Sequence, residues 1–177
     1  MTPDASDVVV ALSGAGQTVA TAESLTGGLV CAALTAVPGA SGCIRGGVVA
    51  YALAVKAEIL DVDADLLERR GAIDPEVARR MAVGVRRALS ATYGVATTGA
   101  AGPDPAPGGT ETQPVSPGRG FVAVSGPRGD LVRGFDASGD RADVRVAAVG
   151  CALDLLREAM AADRERRPSA PRGTVGE

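Results

Sequence analysis

The apolar positions along this chain follow two rhythms that take turns. Runs dense in small and β-branched residues at 17–22, 46–51, 94–98, 119–125 and 131–136 read as strands. The stretches between them repeat their apolar residues every three or four positions, as helices do. Residues 5–15 predict a first helix, and a run of about ten residues after Gly28 predicts a second that stops before Pro38. Residues 53–60 and 64–70 predict two short helices. The most clearly marked start is Asp74-Pro75-Glu76, an Asp N-cap with Pro at the first helical position. That helix runs to about Thr92 and carries Val77, Met81, Val85 and Leu89 on one face. A last helix spans 141–162 with Val144, Ala148, Cys151 and Leu155 inward, and the final two strands form a hairpin around Pro127-Arg128-Gly129-Asp130.

Strand, small-residue turn and helix in alternation predict an α/β fold: a three-layer α/β/α sandwich with a mixed sheet, built as a single domain over 1–162. A Pro-, Gly- and Thr-rich loop fills 103–118. Residues 163–177, which include Arg164-Glu165-Arg166-Arg167-Pro168, read as a disordered tail.

Composition narrows the chemistry. With two Phe, two Tyr and no Trp, the core must be built from Ala, Val, Leu and Ile. A net charge of -3 gives no reason to expect nucleic acid or an anionic membrane as partner. No apolar run reaches the roughly 18 residues that span a bilayer, and residues 1–16 lack the basic start of a signal peptide. Cys31, Cys43 and Cys151 are odd in number and show no CxxC spacing, which suits reduced thiols in a cytoplasmic protein. His is absent, so a conventional zinc site is not expected. Of 18 basic residues, Lys56 is the single lysine; the others are Arg. A buried amine can lose its proton where a guanidinium cannot, so this position is a candidate titratable base, or else the survivor of a coding bias toward Arg.

Three loops stand at strand ends, where open α/β sheets gather ligands. Glu23-Ser24-Leu25-Thr26-Gly27-Gly28 places two hydroxyls and two glycines at a helix start. It can cradle an anion, present Ser24 as a nucleophile, or simply cap the helix. Tyr51 and Lys56 flank a strand-to-helix junction downstream of Ser41. Without His, serine activation needs another base, and a desolvated lysine beside a tyrosine hydroxyl would supply one, the alternative being a solvated surface lysine. Thr97-Thr98-Gly99-Ala100-Ala101-Gly102-Pro103 offers backbone amides for an oxyanion, or is a plain turn. Arg141 and Arg145 share a helix face behind Gly139-Asp140 and suit a phosphate, or lie on the surface behind an Asp cap.

Taken in order, these segments resemble the C-terminal domain of the CinA family, whose stand-alone members are nicotinamide-mononucleotide deamidases. The residues that carry the resemblance are Thr21-Ala22-Glu23-Ser24-Leu25-Thr26-Gly27-Gly28, Gly47-Val48-Val49-Ala50-Tyr51 with Lys56, Gly71-Ala72-Ile73, Thr98-Gly99-Ala100-Ala101-Gly102-Pro103-Asp104, Gln113-Pro114-Val115 and Gly139-Asp140-Arg141. The resemblance implies hydrolysis of the nicotinamide carboxamide to nicotinic acid mononucleotide and ammonia, with no metal or cofactor, as part of pyridine-nucleotide recycling. Carried over by position, it implies Ser41 or Ser24 as nucleophile, with Ser41 preferred, Lys56 as proton carrier, and Tyr51 and Thr98 beside them. Thr26, Gly27 and Gly99 would line the substrate, and Arg141 and Arg145 would hold its 5′-phosphate. A homodimer or other homo-oligomer is implied, and no activity of the family's N-terminal domain is expected. The chain departs from the pattern at Ala52-Leu53, where relatives carry polar residues, and at 114–120, where Ser116-Pro117-Gly118-Arg119-Gly120 replaces a shorter turn. The loop at 103–113 is also longer. These departures keep open a different small amide as substrate, or a non-catalytic binding module.

Overall fold

A computed structural model describes residues 3–165. Its elements in chain order are α1 (Ser6–Gly14), β1 (Val19–Glu23), α2 (Leu29–Thr35), a single 3-10 turn (Ala40–Gly42), β2 (Ile44–Val49), α3 (Leu53–Leu60), α4 (Ala64–Arg70), α5 (Pro75–Ala88), β3 (Tyr93–Gly99), β4 (Arg119–Gly126), β5 (Gly129–Asp136) and α6 (Arg141–Glu165). The five strands form one open sheet in the order β2-β1-β3-β4-β5. β1 runs parallel to β2 and β3, whereas β4 is antiparallel to both β3 and β5. The sheet is therefore mixed, and helices cover both of its faces.

Side-chain alternation builds the layers. Val19, Tyr93, Val95, Val122 and Val124 face a core shared with α1, α2 and α6. Ala20, Ala22, Ala96 and Ala123 face the opposite core, shared with Leu60, Leu67 and α5. The central strand β1 is buried at every position, while edge strand β2 alternates between exposed and half-buried residues. Small side chains on the second face let the helices sit close. A Cβ added at Gly84 on α5 would lie 1.9 Å from the Leu60 carbonyl oxygen, so α5 accepts the end of α3 only because this position has no side chain.

Asp74 caps α5 as its sequence position requires, accepting from the Glu76 amide at 2.8 Å, and Asp63 caps α4 in the same way. Several boundaries differ from the expected ones. The second strand is Ile44–Val49 rather than 46–51, because Ala50 makes one last ladder bond, to the Glu23 carbonyl, before the chain turns into α3. α5 stops at Ala88, short of Thr92, where Ser90 takes a positive φ of 49°. The last helix continues to Glu165 instead of stopping at 162, and Cys151 is half-buried on it. Residues 166–177 of the expected tail lie outside the described residues. The loop at 103–118 is anchored at two places. Ala106 pairs with Val115, and the amides of Thr110 and Glu111 donate to the carbonyls of Glu68 and Arg69 at the end of α4, each at 2.9 Å.

The close approach at Gly84 generates a prediction. Gly84→Ala should cost about 2 kcal/mol of stability despite the better helix propensity of alanine, because the new methyl overpacks α3 against α5. A lowered urea midpoint with unchanged slope is the expected result; an unchanged or raised midpoint would show that the helices separate without cost.

Candidate active site

Three parallel strands, β1, β2 and β3, end on the same side of the sheet, and the polar residues of the site follow those ends. The ladder runs one residue past each strand: the Ser24 amide donates to Thr97 O at 3.0 Å and the Ala50 amide to Glu23 O at 2.8 Å. This brings Ser24 and Ala50 next to each other. α3 then starts at Leu53, and its first turn carries Lys56 back under the same edge.

The Lys56 side chain is wholly buried, at 0% exposure. Its Nζ lies 3.2 Å from Ser24 Oγ and also donates to the carbonyl oxygens of Ala50 and, at 3.3 Å, Tyr51. Burial lowers its pKa from the ordinary 10.5 to about 8. A carbonyl oxygen can only accept, so the two carbonyls take two N–H groups of the amine. When the amine is neutral, its lone pair is left for the Ser24 hydroxyl. The arrangement can therefore move a proton between Ser24 and Lys56.

Ser24, 9% exposed, opens into a cavity of about 220 Å³. Thr98, Gly99, Ala101, Tyr51 and Arg141 also line it. Lys56 sits behind Ser24 and does not line the cavity. The Thr98 hydroxyl is committed, donating to Ala72 O at 2.6 Å. Tyr51 is 63% exposed and stands at the rim, where its hydroxyl accepts from Arg141 Nη2 at 3.0 Å. The Tyr51 group that meets the lysine is thus its backbone carbonyl, not the phenol expected beside the amine. A larger hollow of about 550 Å³, between the 113–116 segment and β4–β5, contains none of Ser24, Tyr51, Lys56 or Thr98.

Other expected site residues are placed differently. Ser41, the preferred nucleophile, is exposed on the 3-10 turn that precedes β2. Lys56 follows the far end of that six-residue strand, and strand rise of about 3.3 Å per residue puts the two ends on the order of 20 Å apart. Ser24 is the hydroxyl that the fold brings to the amine. Thr26 is fully buried and shares a 2.7 Å hydrogen bond with Thr97, so its hydroxyl ties the turn to β3. Gly27 and Gly28 adopt positive φ of 58° and 99°, a turn that their lack of Cβ permits. Arg145 donates Nε to Leu25 O at 3.0 Å and Nη2 to Thr26 O at 2.9 Å. It grips backbone, while Arg141 alone reaches the cavity rim.

Glu23 was not among the expected residues and has a decisive place. Its buried carboxylate accepts from the amides of Gly28, Val30 and Cys31 at 2.8–3.0 Å. The start of α2 is thereby filled by the chain's own anion and is not the anion cradle considered from sequence. The available signal was an acidic residue just before Ser24-Leu25-Thr26-Gly27-Gly28, with no side-chain cap on Gly28 and no acid in the first turn of α2.

Comparisons with known proteins supply the family and the fold. The family described as the CinA C-terminal domain matches residues 2–160. A CinA-like protein of Frankia casuarinae is 49% identical over 144 residues, covering 81% of this chain and 32% of the relative. One from Anaeromyxobacter dehalogenans is 49% identical over 155 residues, covering 87% of this chain and 37% of the relative. The chain thus spans about a third of the length of these curated relatives. Among solved structures, the competence/damage inducible protein CihA of Agrobacterium tumefaciens superposes with a TM-score of 0.81 at 32% identity, covering 91% of this chain and 98% of that one. A CinA superfamily protein of Escherichia coli gives 0.80 at 29% identity, covering 87% of each chain. Among the described residues no helix is long and apolar enough to cross a membrane.

The lowered lysine pKa carries a stability consequence with a definite sign. Between about 8, the folded value, and 10.5, the ordinary value, the unfolded chain binds a proton that the folded chain does not. Stability of the wild type relative to Lys56→Met should therefore rise with pH across that window and stay constant below it. Urea titrations of both proteins at several pH values check this, and a difference that does not vary with pH would mean the amine is not desolvated.

Proposed function

The chain belongs to the CinA family, matching its C-terminal domain, and from that premise we propose that it is an amidohydrolase that converts nicotinamide mononucleotide to nicotinic acid mononucleotide and ammonia. The observation that carries this reading is the buried Lys56 amine 3.2 Å from the Ser24 hydroxyl, with backbone carbonyls as its other partners. Neutral Lys56 takes the Ser24 proton as Oγ bonds to the carboxamide carbon. The tetrahedral intermediate collapses as Lys56 returns that proton to the leaving nitrogen, and ammonia departs. Water then attacks the acyl ester on Ser24, giving its proton to Lys56, which passes it back to Oγ as the acid is released. No step calls on a metal or cofactor.

The rest of the site supports the reading in simpler ways. Arg141, held by Tyr51 at the mouth, offers a guanidinium to a 5′-phosphate. Thr98 lines the cavity with its hydroxyl proton turned to Ala72, leaving its oxygen free to accept a hydrogen bond from the carboxamide N–H. Ser41 takes no part.

Ammonia release from nicotinamide mononucleotide tests the proposal. The wild type should turn over, Ser24→Ala and Lys56→Met should each lose at least about 10³-fold in kcat, and Ser41→Ala should keep wild-type rates. The wild-type rate should rise with pH to a plateau above about 8, where the amine is neutral. Equal rates for wild type and Lys56→Met would remove the lysine from the mechanism, and tight binding of the nucleotide without turnover would make the chain a binding module.

A further inference from the structure

Arg145 was expected at the substrate phosphate, yet its guanidinium is spent on the turn that carries Ser24. Within that turn the carbonyls of Ser24, Leu25 and Thr26 are all occupied. Ser24 O accepts from the Gly27 amide at 3.1 Å, Leu25 O from Arg145 Nε at 3.0 Å, and Thr26 O from Arg145 Nη2 at 2.9 Å and the Leu29 amide at 3.2 Å. The amides tell the opposite story: among the described residues, those of Leu25 and Thr26 have no acceptor. In a trans peptide the C=O and N–H point in opposite directions, so fixing a carbonyl also aims the amide across the bond. The peptide between Ser24 and Leu25 is fixed through Ser24 O, and its free N–H belongs to Leu25, which lines the cavity beside Ser24. Arg145 fixes the next two peptides through Leu25 O and Thr26 O, and the second of these carries the Gly27 amide that holds Ser24 O. Glu23 takes up the amides further along, so those of Leu25 and Thr26 remain the unclaimed donors of the turn.

We propose that Arg145 is a positioning residue that locks the Ser24–Gly27 turn so that the Leu25 amide donates to the oxyanion formed in the reaction. The proposal rests on the amidase reading and locates the oxyanion donor at Leu25 rather than at Thr98-Gly99. When Ser24 Oγ bonds to the carboxamide carbon, the carbonyl π pair moves to oxygen, and the Leu25 N–H donates to that charge. Collapse returns the pair to the C=O bond and expels the nitrogen, protonated by Lys56. A preset donor of this kind acts without reorganising at the moment of reaction. The planar fork of Arg145 reaches two successive carbonyls through two separate nitrogens held in a fixed geometry, whereas a lysine would have to reach both from one nitrogen on a flexible stem.

The test uses Arg145→Lys, Arg145→Gln and Arg145→Ala, with three readouts. The first is kcat and KM on nicotinamide mononucleotide and on its dephosphorylated nucleoside. The second is the rate at which a fluorophosphonate labels Ser24, which needs no amide substrate. The third is rescue of Arg145→Ala by added guanidinium. The expected result is a kcat loss of at least about 10-fold on both amides, with KM changed by less than about 2-fold. Labelling should slow in parallel, and guanidinium should restore much of the rate. A KM increase confined to the phosphorylated substrate, with kcat intact, would show a phosphate anchor and overturn the proposal, as would unchanged labelling in all three variants. If the wild type hydrolyses neither amide but Ser24 is labelled readily, the amidase reading fails while the labelling rates still decide the role of Arg145. A wild type that does neither overturns both.

Discussion

An amine held out of water against two backbone carbonyls and one hydroxyl is the contact around which the rest of this site is arranged. Burying an ammonium is costly, and the protein meets that cost by lowering the affinity of Lys56 for its proton. The fold makes the burial possible by carrying the strand ladder one residue beyond β1 and β2. Ser24 and Ala50 are fixed there by backbone bonds before α3 delivers the lysine from below. The serine and the Ala50 carbonyl thus take their positions from the sheet itself.

The charged groups around this centre divide the work by geometry. Glu23 closes the start of α2, Arg145 clamps the turn, and Arg141 stands at the mouth with Tyr51. A guanidinium suits the last two places, because it stays charged and binds through two arms. The chain's one lysine stands where the cation is wholly buried. Small residues in the sheet and on α5 keep the layers close, since Gly84 lets the end of α3 pack directly against α5.

Much of this was legible in the sequence, for identifiable reasons. Alternating and three-to-four-residue periods revealed the mixed sheet and its two helical layers, and the Asp74-Pro75 start of α5 was unambiguous. The single lysine in an arginine-rich chain pointed to Lys56. What stayed hidden depended on which groups the fold turns toward one another. Sequence leaves both Ser41 and Ser24 open and favours Ser41, but Ser41 precedes β2 and Ser24 follows β1, so strand direction separates them. Arg141 and Arg145 share a helix face, yet one reaches the mouth and the other reaches backbone. The phenol of Tyr51 was expected at the amine, and its carbonyl is there instead, because the side chain leaves the strand end on the solvent side. The role of Glu23 also needed three dimensions, since its partners lie five to eight residues onward.

Because the chain has one lysine, the central contact is open to a direct measurement. Protein labelled with 13C and 15N in lysine gives a single side-chain signal, and its chemical shift can be followed against pH in the substrate-free protein. A titration midpoint near 8 is expected for an amine enclosed beside Ser24. A midpoint at or above 10.5, the ordinary lysine value, would mean that the amine is solvated and charged, and would contradict its role as the base.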